Sequence, residues 1–191
     1  MPPKDHEIRT YTAEIEIRSD DQEKRRIVGH AAVFNQIAGD ERYFLEQIAP
    51  GAFKDSIDKD DVRALWNHNP DYVLGRNKAR TLKLSEDEVG LAIEIDPPDT
   101  QWARDLMISI GRGDISQMSF GFKVLKQEWD EEKNLRTLKQ VELWDVSPVT
   151  YPFYEGTDVA LRSRDAARKQ YKPPRIPLKK RLNFNLKGVT K

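Results

Sequence analysis

The chain has 191 residues, 38% hydrophobic and 34% charged, enough for one core-bearing domain and at most a small appendage. Its 32 Lys and Arg balance 32 Asp and Glu, and no apolar run approaches the roughly 20 residues that a membrane helix needs. Cysteine is absent, which excludes disulfide scaffolds, thiolate metal sites and cysteine nucleophiles, and fits an intracellular, reducing setting.

The balanced charge hides an asymmetry. From Arg162 to Lys191 there are 11 basic residues and one acid, Asp165, while residues 1–161 hold 21 basic and 31 acidic ones. The pattern is an acidic body with a basic tail. Such a tail suits an acidic partner or nucleic acid, or is a solvated terminal segment. The opening "MPPKDHEIRT" has no apolar h-region, so no secretory signal is expected.

Along the chain, "TYTAEIEIR" (10–18) alternates, with Tyr11, Ala13, Ile15 and Ile17 on one face, as a half-buried strand does. "RRIVGHAAVFN" (25–35) reads as a second strand, its Gly29 suggesting a bulge or a close backbone approach. "RYFLEQIAPGAF" gives a third that ends in a Pro-Gly turn, and "DVRALWN" a fourth. "ARTLKLSEDEVGLAIEIDPP" reads as a hairpin around Ser85–Glu88. After "DPPDT", Trp102, Leu106 and Ile110 recur at helical spacing, with Asp99 or Thr100 as cap, and the helix stops near Gly111–Gly113. Two long strands follow, "DISQMSFGFKVLKQEW" and "RTLKQVELWDVSPVTY", around the polar turn "DEEKN"; "DVALRSRDAARKQ" reads as a helix. About seven strands in mostly antiparallel succession, with few helices, favour a closed or nearly closed β-barrel. The expected organisation is a flexible N-terminus over 1–9, a barrel domain over 10–170 and a Pro-rich basic tail over 171–191.

The search for chemistry narrows quickly. There is no HExxH, no phosphate-binding glycine loop and no zinc-finger or RNP signature, and three histidines without cysteine make a poor metal set. No cofactor, metal or base-specific nucleic-acid contact is expected. Nucleophilic catalysis needs a hydroxyl, a base and a group to orient the base. Of the histidines, His6 falls in the N-terminus expected to fray and His30 mid-strand, whereas His68, in "LWNHNP", stands at a strand end beside a turn. Taken alone, His68 is better explained as a turn residue. Ser116 and Ser119 supply hydroxyls in "GDISQMSFGF", with Gly121 allowing a close backbone approach. Asp145 is an acid in an otherwise apolar strand; facing inward it needs a partner, for which a histidine N–H is suited and a salt bridge is the plain alternative.

In this order, "GHAAVFN", "RYFLEQIAPGAF", "LWNHNPDYVLGR", "TLKLSEDEVGLAIEIDPPDT", "GDISQMSFGF" and "LWDVSPVTYPFYEGTDVAL" resemble the prohead protease family of tailed bacteriophages, over residues 10–162. The resemblance implies a serine endopeptidase with a barrel similar to the herpesvirus assembly protease. It implies action inside the assembling procapsid, in the host cytoplasm, on scaffold protein or the scaffolding region of the major capsid protein, and on itself. It places the general base on His68, the nucleophile on Ser119 and the orienting acid on Asp145, where the family often has Glu. Ser116 is the rival nucleophile. Backbone N–H groups near Ser119–Gly121, or Arg76, would serve the oxyanion, with a surface salt bridge as the alternative for Arg76. A homodimer is one assembly open to such a fold. The rival readings are a non-enzymatic capsid-assembly module with a protease-like barrel and a nucleic-acid-binding β domain working through the basic tail.

Overall fold

In a computed structural model of the chain, the described residues are 6–11, 15–19, 25–40 and 44–151. They form eleven strands, two α-helices and one short 3-10 helix at Asn77–Ala79. The strands are β1 (Glu7–Tyr11), β2 (Ile15–Ser19), β3 (Arg25–Val33), β4 (Ala38–Asp40), β5 (Phe44–Ile48), β6 (Arg63–Trp66), β7 (Asn69–Arg76), β8 (Leu82–Glu86), β9 (Gly90–Ile95), β10 (Gln117–Asp130) and β11 (Leu135–Val149). The α-helices are α1 (Lys54–Lys59) and α2 (Gln101–Gly111). The helix expected over 158–170 and the basic tail lie outside the described residues.

The long β10–β11 hairpin is the spine. Its turn at residues 131–134 falls within the expected "DEEKN", whose Asp130 closes β10, and its two strands pair antiparallel from Gln117↔Val149 to Asp130↔Leu135. On its outer edge β10 carries β1, antiparallel, from Glu7↔Phe122 to Tyr11↔Met118. The outer edge of β11 is shared by two strands, both parallel to it: β5 against Leu135–Leu138 and β6 against Asp145–Val146. Because α1 intervenes between β5 and β6, the chain returns in the same direction, the usual requirement for parallel neighbours. β4 and β7 complete this seven-stranded sheet, and β2-β3-β9-β8 form a separate four-stranded antiparallel sheet.

The expected closed antiparallel barrel of about seven strands is therefore corrected. Among the described residues there are two open sheets, one ending at β1 and β4, the other at β2 and β8, and the larger is mixed rather than antiparallel. The alternating stretch 10–18 is divided between β1, which pairs with β10, and β2, which pairs with β3, so one apparent strand serves two sheets. Strand periodicity reports which residues face inward but not which neighbour a strand takes. The β8–β9 hairpin does form, turning through Asp87–Val89, where Asp87 Oδ1 accepts from the Val89 and Gly90 N–H groups. In α2, Leu106 and Ile110 are buried as their spacing required.

The core lies between the sheets. Met118, Phe120 and Phe122 of β10 turn one face to it, and a chain of rings runs Phe34–Phe53–Phe120–Phe122 with centroids 6.3, 5.5 and 4.9 Å apart. Alternation then sends Ser119 and Gly121 to the opposite face.

A buried charge cluster anchors β1. Arg136 of β11 is wholly buried, with Nη1 donating to Glu7 Oε2 (2.8 Å) and Glu46 Oε2 (2.9 Å), Nη2 to Glu7 Oε1 (3.0 Å) and Nε to Gln127 (2.6 Å). Arg9 adds bonds to Glu46 (2.6 Å) and Glu7 (2.7 Å), so two cations and two carboxylates interlock β1, β5 and β11. Burial pushes the Glu7 carboxyl up, but the guanidinium groups of Arg136 and Arg9 outweigh it and hold it below the usual range. Glu7→Gln leaves a buried guanidinium under-compensated and is expected to cost about 3 kcal/mol at pH 7, read by urea unfolding. Because the folded Glu7 titrates below its unfolded value, its contribution is present above about pH 4.3 and fades as pH falls through the folded pKa. The gap between wild type and variant should therefore close on acidification.

Candidate active site

The site is built on the face of the β10–β11 hairpin opposite the core. Cross-strand register sets Ser119 against Ser147 and Gly121 against Asp145. Residues two apart on a strand share a face, so Ser119, Gly121, Asp145 and Ser147 form one small square of side chains. β6, parallel to β11 at Asp145–Val146, then delivers the β6–β7 turn above that square.

The turn is Asn67–His68, two residues between the paired Trp66 and Asn69. Both are left-handed, with φ of 54° and 57°, as a type I′ hairpin turn requires. Asparagine tolerates this region readily, while for histidine it is uncommon and is held by its surroundings. Asn67 clamps the turn to the end of β11: its N–H donates to Pro148 O (3.0 Å), its Oδ1 accepts from Thr150 N (2.9 Å) and its Nδ2 reaches Thr150 Oγ1 (3.2 Å). The His68 N–H donates to Ser147 Oγ at 3.3 Å. Asn69 Oδ1 accepts from the Asp71 N–H at 2.9 Å, so both flanking asparagines shape the loop that presents the ring.

That geometry aligns three groups. His68 Nδ1 lies 2.6 Å from Asp145 Oδ2, and His68 Nε2 lies 2.7 Å from Ser119 Oγ. Ser119 is 1% exposed and Asp145 7% exposed, so water screens this row of bonds weakly. Ser147 Oγ donates to Asp145 Oδ2 at 2.7 Å, giving that oxygen two donors when Nδ1 carries a proton. Ser119 Oγ also lies 3.0 Å from the carbonyl of Arg9 on β1, which accepts its proton whenever His68 Nε2 is itself protonated. A buried carboxylate, an imidazole and a hydroxyl so arranged can move a proton from the hydroxyl to the ring and hold the resulting imidazolium.

Ser116, the alternative hydroxyl, is exposed ahead of β10 and has no part in this row. Arg76 forms a surface pair instead of facing the site: its Nε and Nη2 reach Asp61 at 2.7 and 2.6 Å and hold the Asp61 carboxyl down to about 2. Backbone donors at Ser119–Gly121 are flanked by β1 on one edge and β11 on the other, so sheet pairing engages them. His30, mid-strand in β3, pairs with Asp87 at 2.8 Å. Sequence reasoning passed over Ser147 and His6. Ser147 sits two residues after the acid, on its face of the strand, and that spacing could have flagged it. His6 carried no such signal.

A sequence profile described as the caudovirus prohead serine protease matches residues 13–171. The chain belongs to this family. It is 30% identical over 137 residues to the prohead protease of Enterobacteria phage HK97, covering 69% of this chain and 57% of that protein. With the prohead protease of Escherichia phage T5 it shares 32% identity over 95 residues, 47% of this chain and 45% of that protein. The chain thus spans about half the length of these relatives. In three dimensions it resembles the capsid assembly protease gp21 of bacteriophage T4, with a TM-score of 0.54 at 13% identity, over 77% of this chain and 98% of that one, a likeness of fold.

Ser147→Ala removes one donor to Asp145 and the acceptor for the His68 N–H. Loss of a buried hydrogen bond to a charged group costs about 1.5–3 kcal/mol, equivalent to roughly 10- to 100-fold in rate. The expected outcome is a drop of that size in the rate at which a fluorophosphonate phosphonylates the Ser119 hydroxyl, with the melting temperature lowered by several degrees because the same buried bonds stabilise the fold.

Proposed function

We propose that this member of the prohead serine protease family is an endopeptidase of phage head assembly with Ser119, His68 and Asp145 as its catalytic triad. The single observation that carries the reading is the continuous row Asp145 Oδ2–His68 Nδ1 (2.6 Å) and His68 Nε2–Ser119 Oγ (2.7 Å). Its substrates are the scaffold protein or the scaffolding region of the major capsid protein, and the enzyme itself. The relatives that support this are named for the prohead and for capsid assembly. Its place of action is the interior of the assembling procapsid in the host cytoplasm. Among the described residues no helix is long and apolar enough to cross a membrane.

In the mechanism, Ser119 Oγ attacks the scissile carbonyl carbon while its proton passes to His68 Nε2. Asp145 keeps the second proton on Nδ1 and stabilises the imidazolium; it is not itself protonated. Collapse of the tetrahedral adduct breaks the C–N bond as His68 returns its proton to the leaving amine. A Ser119 ester remains. Water, deprotonated by His68, hydrolyses it and restores the hydroxyl. Burial of the row strengthens each electrostatic step.

The test pairs wild type with Ser119→Ala and Asp145→Asn, each incubated with the phage's own coat and scaffold proteins and read by intact mass. Ser119→Ala should abolish cleavage, and Asp145→Asn should slow it by about 10⁴-fold because the amide favours the wrong tautomer of His68. Equal cleavage by wild type and Ser119→Ala removes Ser119 as nucleophile. No cleavage by any of the three favours a structural module built on a protease fold.

A further inference from the structure

His6 precedes β1 and continues its alternation, on the face carried by Ile8, which pairs opposite Gly121. The side chain is nearly buried, 11% exposed, and packs edge-on against the Trp144 ring with centroids 6.3 Å apart. Its Nε2 is buried and, among the described residues, has no hydrogen-bond partner. That atom points toward the Oδ1 of Asp145, 4.0 Å away, on the side of the carboxylate that His68 and Ser147 do not occupy.

Gly121 explains how the two groups come so close. A Cβ there would overlap both His6 Nε2 and Asp145 Oδ1, so the missing side chain of "SFG" is the gap in which the imidazole and the carboxylate face each other. The gap would have no use if β1 were loosely attached. Arg136, Glu7, Glu46 and Arg9 instead fix the strand next to His6 in a buried charge cluster.

We propose that His6 is a positioning residue: from β1 its imidazole braces the Oδ1 side of Asp145, so that Oδ2 stays aimed at His68 Nδ1. A carboxylate held only through Oδ2 can rotate about its χ2 torsion, which is a soft one. A donor facing Oδ1 opposes that rotation, and closing by about an ångström would make it a hydrogen bond. The inference rests on the triad reading.

The brace works with His6 neutral. Burial lowers the His6 pKa; Asp145 on β11 and Glu7 on its own strand oppose the shift, and His68 from the β6–β7 turn reinforces it. Gly121, its neighbour on β10, adds no charge. Protonation below neutral pH would set a second imidazolium against Asp145 and raise the energy of the His68 imidazolium formed during catalysis. The acid limb of kcat/KM then carries a contribution from His6.

The experiment measures kcat and KM from pH 5 to 8 for wild type, His6→Phe and His6→Gln in the full chain, with Ser119→Ala as control. His6→Phe keeps a buried ring without a donor, and His6→Gln restores a donor that does not titrate. The expected result is a kcat about tenfold lower for His6→Phe with little change in KM, and a near-normal kcat for His6→Gln. The acid limb should fall less steeply in both variants than in wild type. Wild-type kcat and an unchanged acid limb in either variant overturn the inference, while an inert Ser119→Ala leaves the triad standing. Activity in Ser119→Ala overturns the triad and the inference with it. Should His6→Phe fail to fold, as judged by circular dichroism, the acid limb of His6→Gln decides alone.

Discussion

The register of the β10–β11 hairpin is the constraint on which the site depends. A strand pairing slipped by one residue would send Ser119 and Asp145 to opposite faces of the sheet. With Ser119 opposite Ser147 and Gly121 opposite Asp145, the Ser119 hydroxyl and the Asp145 carboxylate stand diagonal to each other, a single imidazole apart. The same alternation puts Met118, Phe120 and Phe122 into the core. Packing of these apolar side chains therefore holds the face of Ser119 and Asp145 in register: the energy that folds the hairpin also aims its polar side.

Two further elements close on that face from opposite sides. β6 is parallel to β11 only at Asp145–Val146, and from there a two-residue turn lifts His68 over the square. β1 approaches on the other edge of β10, bringing the Arg9 carbonyl to Ser119 and His6 to Asp145. The buried charge cluster at Arg136 is an expensive way to attach an edge strand, since desolvating such groups offsets much of their attraction. What it supplies is orientation: several directed bonds fix β1 along its axis, where apolar contacts alone would permit sliding.

Some of this was legible in the residues themselves. The alternation of "SQMSFGF" marks Ser119 and Gly121 as sharing a face, and the turn "DEEKN" marks the hairpin, because both are local consequences of backbone geometry. The two asparagines around His68 were readable only as turn formers. The left-handed φ at Asn67 and its clamp on Thr150 show why one of them precedes the histidine. His6 was illegible for a physical reason: in sequence it belongs to a polar terminus, and only a pairing partner more than a hundred residues away buries it.

The sequence by itself determined the residue types available for chemistry, the alternation that sets Ser119 apart from its apolar neighbours, the long hairpin and, through its ordered motifs, the family. These depend on side-chain chemistry and on periods of two or 3.6 residues, which are local. Only the tertiary structure decided that the strands form two open sheets instead of a barrel, that β5 and β6 share one edge of β11, and that His6, Ser147 and the Arg9 carbonyl surround the row of Asp145, His68 and Ser119. Strand neighbours are chosen by the collective burial of two sheets and by a charge cluster joining β1, β5 and β11, and no single segment encodes that choice.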